Sequence, residues 1–268
     1  VSRCARAPRT PRTFYGVAVS RAPSFAPVDV VARTLRVELT AARARRGGAA
    51  PRVLDVGGGS GTWAVPLAAD GCEVTVVDSS ANALAVLRSR ARDAGVAGGV
   101  RAVQGDVDAL ADAVADAQAD LVLGHGLLEY VDDPAEACRA LAAAAAPGAA
   151  VSLLVAGRFA AVLSRVVAGR LTEARRLLVD PAGRWGPDDP LRRRMDVEEI
   201  RTLVEVDGRL AVERVQGHRV LADLVPDGVV EPGGGPPDAL AELEDIAAGT
   251  PPLRDMASSL HVLARRPV

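Results

Sequence analysis

Apolar positions along the chain switch between two rhythms, and the switches predict alternating strands and helices. Short apolar runs at 52–56, 73–78, 100–104, 120–124 and 149–156 read as strands buried on both faces. Between them the spacing lengthens to three and four. Val31, Leu35 and Leu39 predict a helix over 28–44, and Leu84 and Leu87 predict one over 81–94. A helical pattern runs from Thr62 to Ala69, and the third strand is followed by a helix near 108–117. Another helix is predicted from Pro134 to Ala146, with Pro147-Gly148 ending it. Such repetition builds a doubly wound parallel sheet. Later the pattern changes. Leu210–Gln216 and Leu260–Ala264 read as an antiparallel pair, separated by a Gly/Pro loop over 226–237 and an amphipathic helix over 239–248. The predicted fold is α/β: a Rossmann-like, mostly parallel seven-stranded sheet with an antiparallel last strand.

The junction that organises the chain is Pro51–Thr62, Pro-Arg-Val-Leu-Asp-Val-Gly-Gly-Gly-Ser-Gly-Thr. A strand that turns into a helix on Gly57, Gly58, Gly59 and Gly61 brings bare backbone close to a ligand. At the carboxyl end of a parallel strand that geometry serves a nucleotide-like cofactor. The dinucleotide fingerprint Gly-x-Gly-x-x-Gly is not met: Thr62 stands at its third glycine, the glycine comes one residue early, and Asp55 precedes Gly57 by two. Asp78 ends the second strand, about 20 residues after the loop, where an acid accepts both ribose hydroxyls. Ser79 lies beside it, and Ser79 or Ser80 is placed to cap the next helix. His125 follows the fourth strand and is a candidate site residue, for the cofactor or for orienting the substrate.

Composition narrows the class. The chain has 268 residues, 49% hydrophobic and 25% charged, which suits a globular protein. Aromatics are only 3%, so Ala, Val and Leu must build the core. Every base is arginine, which with the alanine excess reads as a mark of GC-rich coding. The net charge of -2 does not announce a nucleic-acid partner. Cys4, Cys72 and Cys138 are scattered, forming neither a metal spacing nor a disulfide framework, so a reducing cytoplasm is expected. No apolar run reaches the roughly 18 residues of a membrane span. Residues 1–12 are expected to be a disordered basic lead and not a signal peptide, with a single domain over 13–268. Within it, 157–195 reads as a helical insertion over the substrate pocket, with helices over 158–168 and 172–179. It holds nine arginines, a pattern suited either to phosphate contacts or to a solvated face.

Val-Leu-Asp-Val-Gly-x-Gly-x-Gly resembles motif I of the class I S-adenosylmethionine (SAM) methyltransferases. With His-Gly-Leu-Leu-Glu-Tyr-Val-Asp-Asp-Pro at 125–134, Ala-Pro-Gly-Ala-Ala-Val-Ser-Leu-Leu, and Gly-His-Arg-Val-Leu-Ala-Asp at 217–223, the chain resembles the bacterial tRNA 5-carboxymethoxyuridine methyltransferases and their actinobacterial relatives. The likeness covers about 50–266. It implies SAM as cofactor, with Asp55 fixing the loop and the cofactor amino group. Gly57, Gly58, Asp78, Val107, Asp108 and His125 fall at cofactor-contact positions. An acid after the third strand, Asp106 or Asp108, would meet the adenine. The family's N-terminal arginine, on the cofactor carboxylate, aligns with Pro27 here, and Arg21 and Arg33 are the nearby substitutes.

The acceptor this implies is a carboxylate on a wobble uridine of tRNA. A small acidic metabolite and a SAM-binding protein without turnover are the alternatives. Arg158 and Arg219 are the candidate substrate contacts, and a surface salt bridge is the other reading of Arg219. A carboxylate nucleophile is already ionised and needs no catalytic base, whereas a hydroxyl or amine would want one. No catalytic residue is therefore assigned, and no metal is expected.

Overall fold

In the computed structural model, residues 29–107, 110, 118–225 and 239–268 are described. The lead over 1–12, the helix near 108–117 and the Gly/Pro loop lie wholly or largely outside them. Seven strands form one sheet in the order β3-β2-β1-β4-β5-β7-β6, and only β7 runs antiparallel to its neighbours. The strands are β1 (Arg52–Val56), β2 (Glu73–Asp78), β3 (Val100–Gln104), β4 (Ala119–His125), β5 (Ala145–Ala156), β6 (Ala211–His218) and β7 (Ser259–Arg265). The order reverses between β1 and β4, and a doubly wound sheet opens its ligand crevice at that point.

Strand alternation divides the core into two layers. Val53, Val74, Val76, Leu121, Leu123 and Leu263 face one side, where α1 (Val30–Arg45), α2 (Ala64–Ala69) and α3 (Ala81–Asp93) contribute Leu35, Leu67 and Leu87. Leu54, Val56, Val122, Val151, Leu153 and Val262 face the other. There α4 (Pro134–Ala144) brings Leu141 and α7 (Val197–Thr202) brings Ile200. Each named helix residue is buried to within 1% exposure, so aliphatic packing replaces the missing aromatics. After β5 the chain forms a helical hairpin, α5 (Arg158–Val167) and α6 (Leu171–Val179), and α8 (Ala239–Gly249) precedes β7.

Several boundaries differ from the sequence reading. The turn after the glycines continues through Trp63, so α2 begins at Ala64 and not Thr62. Pro147-Gly148 does not end α4: β5 already starts at Ala145. The pair lies in a break between the bridges Ala119↔Ala145 and Leu121↔Ala150. Proline supplies no ladder N–H and Gly148 takes a φ of 74°, so together they form the irregularity. The helix that opens after Asp196 is regular only to Thr202 and closes with a π turn over Leu203–Asp207. Its start is a capping box: Asp196 accepts from the Glu199 N–H at 2.9 Å, and the Glu199 carboxylate accepts from the Asp196 N–H at 2.8 Å. Asp196→Ala should cost about 1 kcal/mol, lowering the midpoint of thermal unfolding by about 2–4 °C.

Candidate functional site

The carboxyl ends of β3, β2, β1 and β4 lie side by side, and the sequence-predicted residues gather there. Strand parity puts Asp55, Asp78 and His125 on the same face as α1, α2 and α3. The loop after β1 is fixed to its neighbour: Gly57 donates to the Val77 carbonyl at 2.7 Å, and Gly59 donates to Asp78 Oδ2 at 2.9 Å. Two glycines are there for space. A Cβ at Gly58 would overlap the Asp55 carboxylate, and one at Gly61 would overlap Leu87. Gly61 also has a φ of 79°, which explains a glycine one place earlier than the dinucleotide pattern asks.

Asp55 is 1% exposed, and neither carboxylate oxygen has a hydrogen-bond partner among the described residues. Burial first, and then the charge of Asp78, push its pKa up to about 7. Asp78 is half-buried. Its Oδ1 accepts from the Ser80 N–H at 2.8 Å, so with Gly59 two of about four acceptor positions are used. The cap of α3 is Ser80, whose hydroxyl accepts from the Ala83 N–H at 3.2 Å, which leaves Asp78 out of that role. Ser79 is exposed, and its carbonyl accepts from Gln104 Nε2 at 3.2 Å. After β3, Asp106 is exposed and accepts from the N–H of buried Val107 at 2.6 Å. Asp108 lies outside the described residues.

His125 is the last residue of β4, one place beyond the predicted strand. Its ring meets Trp63 edge to face, with centroids 4.8 Å apart. Nε2 lies 2.8 Å from Ser152 Oγ, while Nδ1 is covered and has no partner among the described residues. Burial, and then neighbouring His261 and His218, hold its pKa well below the usual histidine range, so the ring is neutral.

These groups fit SAM. The unpartnered Asp55 carboxylate suits an ammonium, Asp78 keeps acceptor positions for a diol, and the glycines leave backbone bare.

Residues 53–148 match the model of a methyltransferase domain family. Over 217 residues, 81% of this chain and 80% of the relative, the chain is 28% identical to the tRNA 5-carboxymethoxyuridine methyltransferase of Escherichia coli K12. It is 35% identical to the ubiquinone biosynthesis O-methyltransferase of Pectobacterium atrosepticum, over 53% of this chain and 63% of that protein's length. Among solved structures, the fold is similar to magnesium protoporphyrin IX methyltransferase from Synechocystis PCC 6803, with 15% identity. That match covers 88% of this chain and 84% of the other, with a TM-score of 0.54. The chain carries a methyltransferase domain and has the fold of the class I SAM-dependent methyltransferases.

The methyltransferase uses most of the arginines in 157–195 internally. Arg158 is buried and donates to Glu199 at 2.5 Å and to the Pro181 carbonyl at 2.8 Å. Arg194 forms a buried bidentate pair with Asp189, at 2.7 and 3.1 Å. Arg193 donates to the carbonyls of Leu128 and Val131, both at 2.6 Å, and so ties the insertion to the turn after His125. Arg192 pairs with Asp132; Arg165 and Arg170 pair with Glu173; Arg184 donates to the carbonyls of Gly186 and Pro187. Arg175 and Arg176 are exposed, and their side chains make no hydrogen bond or ion pair among the described residues.

The other named arginines are also engaged. Arg219, at a φ of 57°, pairs with Asp223 on the surface, and Ser258 holds the same carboxylate at 2.6 Å. Arg33 pairs with Asp245 of α8, while Arg21 and Pro27 lie outside the described residues. Among the described residues, no group of His, Cys, Asp and Glu could hold a metal, and no helix is long and apolar enough to cross a membrane.

The sequence reading passed over Ser152, Gln216 and His261, each buried within a strand of the sheet. A signal was present: each is a polar residue at a strand position whose parity points inward. It also passed over Glu129. That carboxylate is buried and accepts from the Ala156 N–H at 2.5 Å, joining the turn after β4 to the end of β5.

Proposed function

We propose that this methyltransferase esterifies a carboxylate, and that the acceptor is the carboxylate of a modified wobble uridine in tRNA. The observation that carries the first part is His125. Its Nε2 is engaged with Ser152 and burial keeps the ring neutral, which makes it a poor base. An acceptor that arrives as an anion needs none. Support for tRNA comes from the long match to the tRNA 5-carboxymethoxyuridine enzyme, which runs well beyond the cofactor-binding half.

The cofactor, when bound, supplies an electrophilic sulfonium methyl. The chain's own residues bind and orient: the glycine loop and Asp55 hold the amino-acid end, Asp78 the ribose, and Asp106 with Val107 and Asp108 the adenine. Catalysis then comes from proximity and the exclusion of water.

A small acidic metabolite is the second reading. It is favoured by the inward engagement of the arginines in 157–195, which leaves Arg175 and Arg176 as candidate phosphate contacts.

The deciding experiment supplies labelled SAM with either bulk tRNA carrying the unesterified uridine or a panel of small carboxylic acids. Uptake into tRNA, released by mild alkali as an ester would be, is the expected result. Arg175→Ala with Arg176→Ala should then weaken tRNA binding and flatten its salt dependence by about one to two units of slope. Uptake confined to a small acid would replace the tRNA reading.

A further inference from the structure

A row of polar side chains crosses the sheet on the α1 face, one from each of four adjacent strands. His125 on β4, Ser152 on β5, His261 on β7 and Gln216 on β6 share that face by register, and Thr34 of α1 closes the row. The contacts are 2.8 Å from His125 Nε2 to Ser152 Oγ and 2.8 Å from Ser152 Oγ to His261 Nε2. They continue with 2.8 Å from His261 Nδ1 to Gln216 Nε2 and 3.1 Å from Gln216 Nε2 to Thr34 Oγ1. Ser152 and His261 are fully buried, and the same face is otherwise lined by Leu121, Leu123, Ala150 and Leu263. A polar chain in such a layer must satisfy its members in one consistent direction.

That direction can be read from its far end. The Thr34 hydroxyl gives its proton to the Val30 carbonyl at 3.0 Å, so Thr34 Oγ1 and the Val30 oxygen both face Gln216 as acceptors. Their demand holds the Gln216 amide with its NH2 toward them, and the same NH2 reaches His261 Nδ1. His261 therefore accepts at Nδ1 and carries its proton on Nε2. It donates to Ser152, whose own proton then goes to His125 Nε2. His125 is left protonated at Nδ1, the covered nitrogen without a partner among the described residues.

We propose that Thr34, Gln216, His261 and Ser152 are positioning residues that lock His125 as the Nδ1–H tautomer, so that it meets the bound cofactor as a hydrogen-bond donor and not as a base. This rests on the reading of the carboxyl edge as the SAM site and deepens it. Trp63 packs against the same ring at an interplanar angle of 81°.

The chain has only three histidines, so the tautomers can be observed directly in full-length protein labelled with 15N-histidine. Long-range proton–nitrogen correlation should show His125 protonated at Nδ1 and His261 at Nε2 in the ligand-free protein. Gln216→Glu should reverse the chain: the carboxylate accepts from His261 Nδ1, each later donor turns round, and His125 moves to Nε2–H. Ser152→Ala, the gentler change, should release His125 to a mixture of tautomers while His261 keeps Nε2–H. A row that only fills space would leave His125 unchanged in both variants. That result, or an Nε2–H His125 in the parent protein, would overturn the proposal. S-adenosylhomocysteine is then added, with saturation checked by calorimetry. A shift of the His125 Nδ1 proton is expected, and an unmoved proton in the saturated complex overturns the donor role. If calorimetry shows no binding while the tautomers are as assigned, the site reading fails and the relay stands.

Discussion

Asp78→Ala is expected to weaken SAM binding by about 100-fold, close to 3 kcal/mol. The carboxylate sits at the end of β2 with about two acceptor positions open, and two charge-assisted hydrogen bonds to a ribose diol contribute about 1.5–3 kcal/mol each. Some of that range is offset because the diol is well hydrated in free solution. The substitution also takes the acceptor from Gly59 N–H, so the loop proposed to lie under the cofactor loses its tie to β2. Asp78→Asn keeps one acceptor oxygen and should lose about tenfold. Calorimetric titration of SAM into both variants is the measurement. A loss below tenfold in the alanine variant would remove Asp78 from the ribose role.

The sheet was legible because each strand carries its signal locally. Short aliphatic runs with a glycine turn or an acid at the carboxyl end name the strand and the end that matters, and β1, β2 and β3 begin and end at the predicted residues. The errors fall where a long-range contact decides. Pro147-Gly148 looks like a helix stop when only its neighbours are considered. In the fold β4 captures Ala145 into β5 and the pair becomes a bulge. The arginines of 157–195 look like a surface charge run, yet their partners include carbonyls at 128 and 131 and a carboxylate at 199, which no local pattern links to them. The polar row failed to register for a related reason. Ser152, His261 and Gln216 are single polar residues in three separate strands, and only the strand order 4-5-7-6 brings them into contact with His125.

Asp55 provides a pH test that needs no acceptor. Its folded-state pKa is raised to about 7 from the ordinary value of 3.8, by burial and by Asp78. The ligand-free folded protein therefore keeps a proton that the unfolded chain has given up. A raised pKa places this group's stabilising contribution below about pH 4, and that contribution is lost as the pH climbs through about 7. Across that window the loss is about 4 kcal/mol, from roughly three pH units at 1.36 kcal/mol each. Asp55→Asn has no such proton to lose. The stability difference between variant and parent should thus move in favour of the variant from pH 4 to pH 8. Urea unfolding at several pH values reads it, and parallel curves would show that Asp55 ionises normally in the free protein. Binding should reverse the sign. A cationic amino group beside Asp55 favours its carboxylate, so SAM binding near pH 6 should release a proton from the parent protein and none from Asp55→Asn. Titrations in buffers of different ionisation enthalpy measure that release. Equal proton release in the two proteins would place the amino group elsewhere and return Asp55 to a purely structural role beneath Gly58.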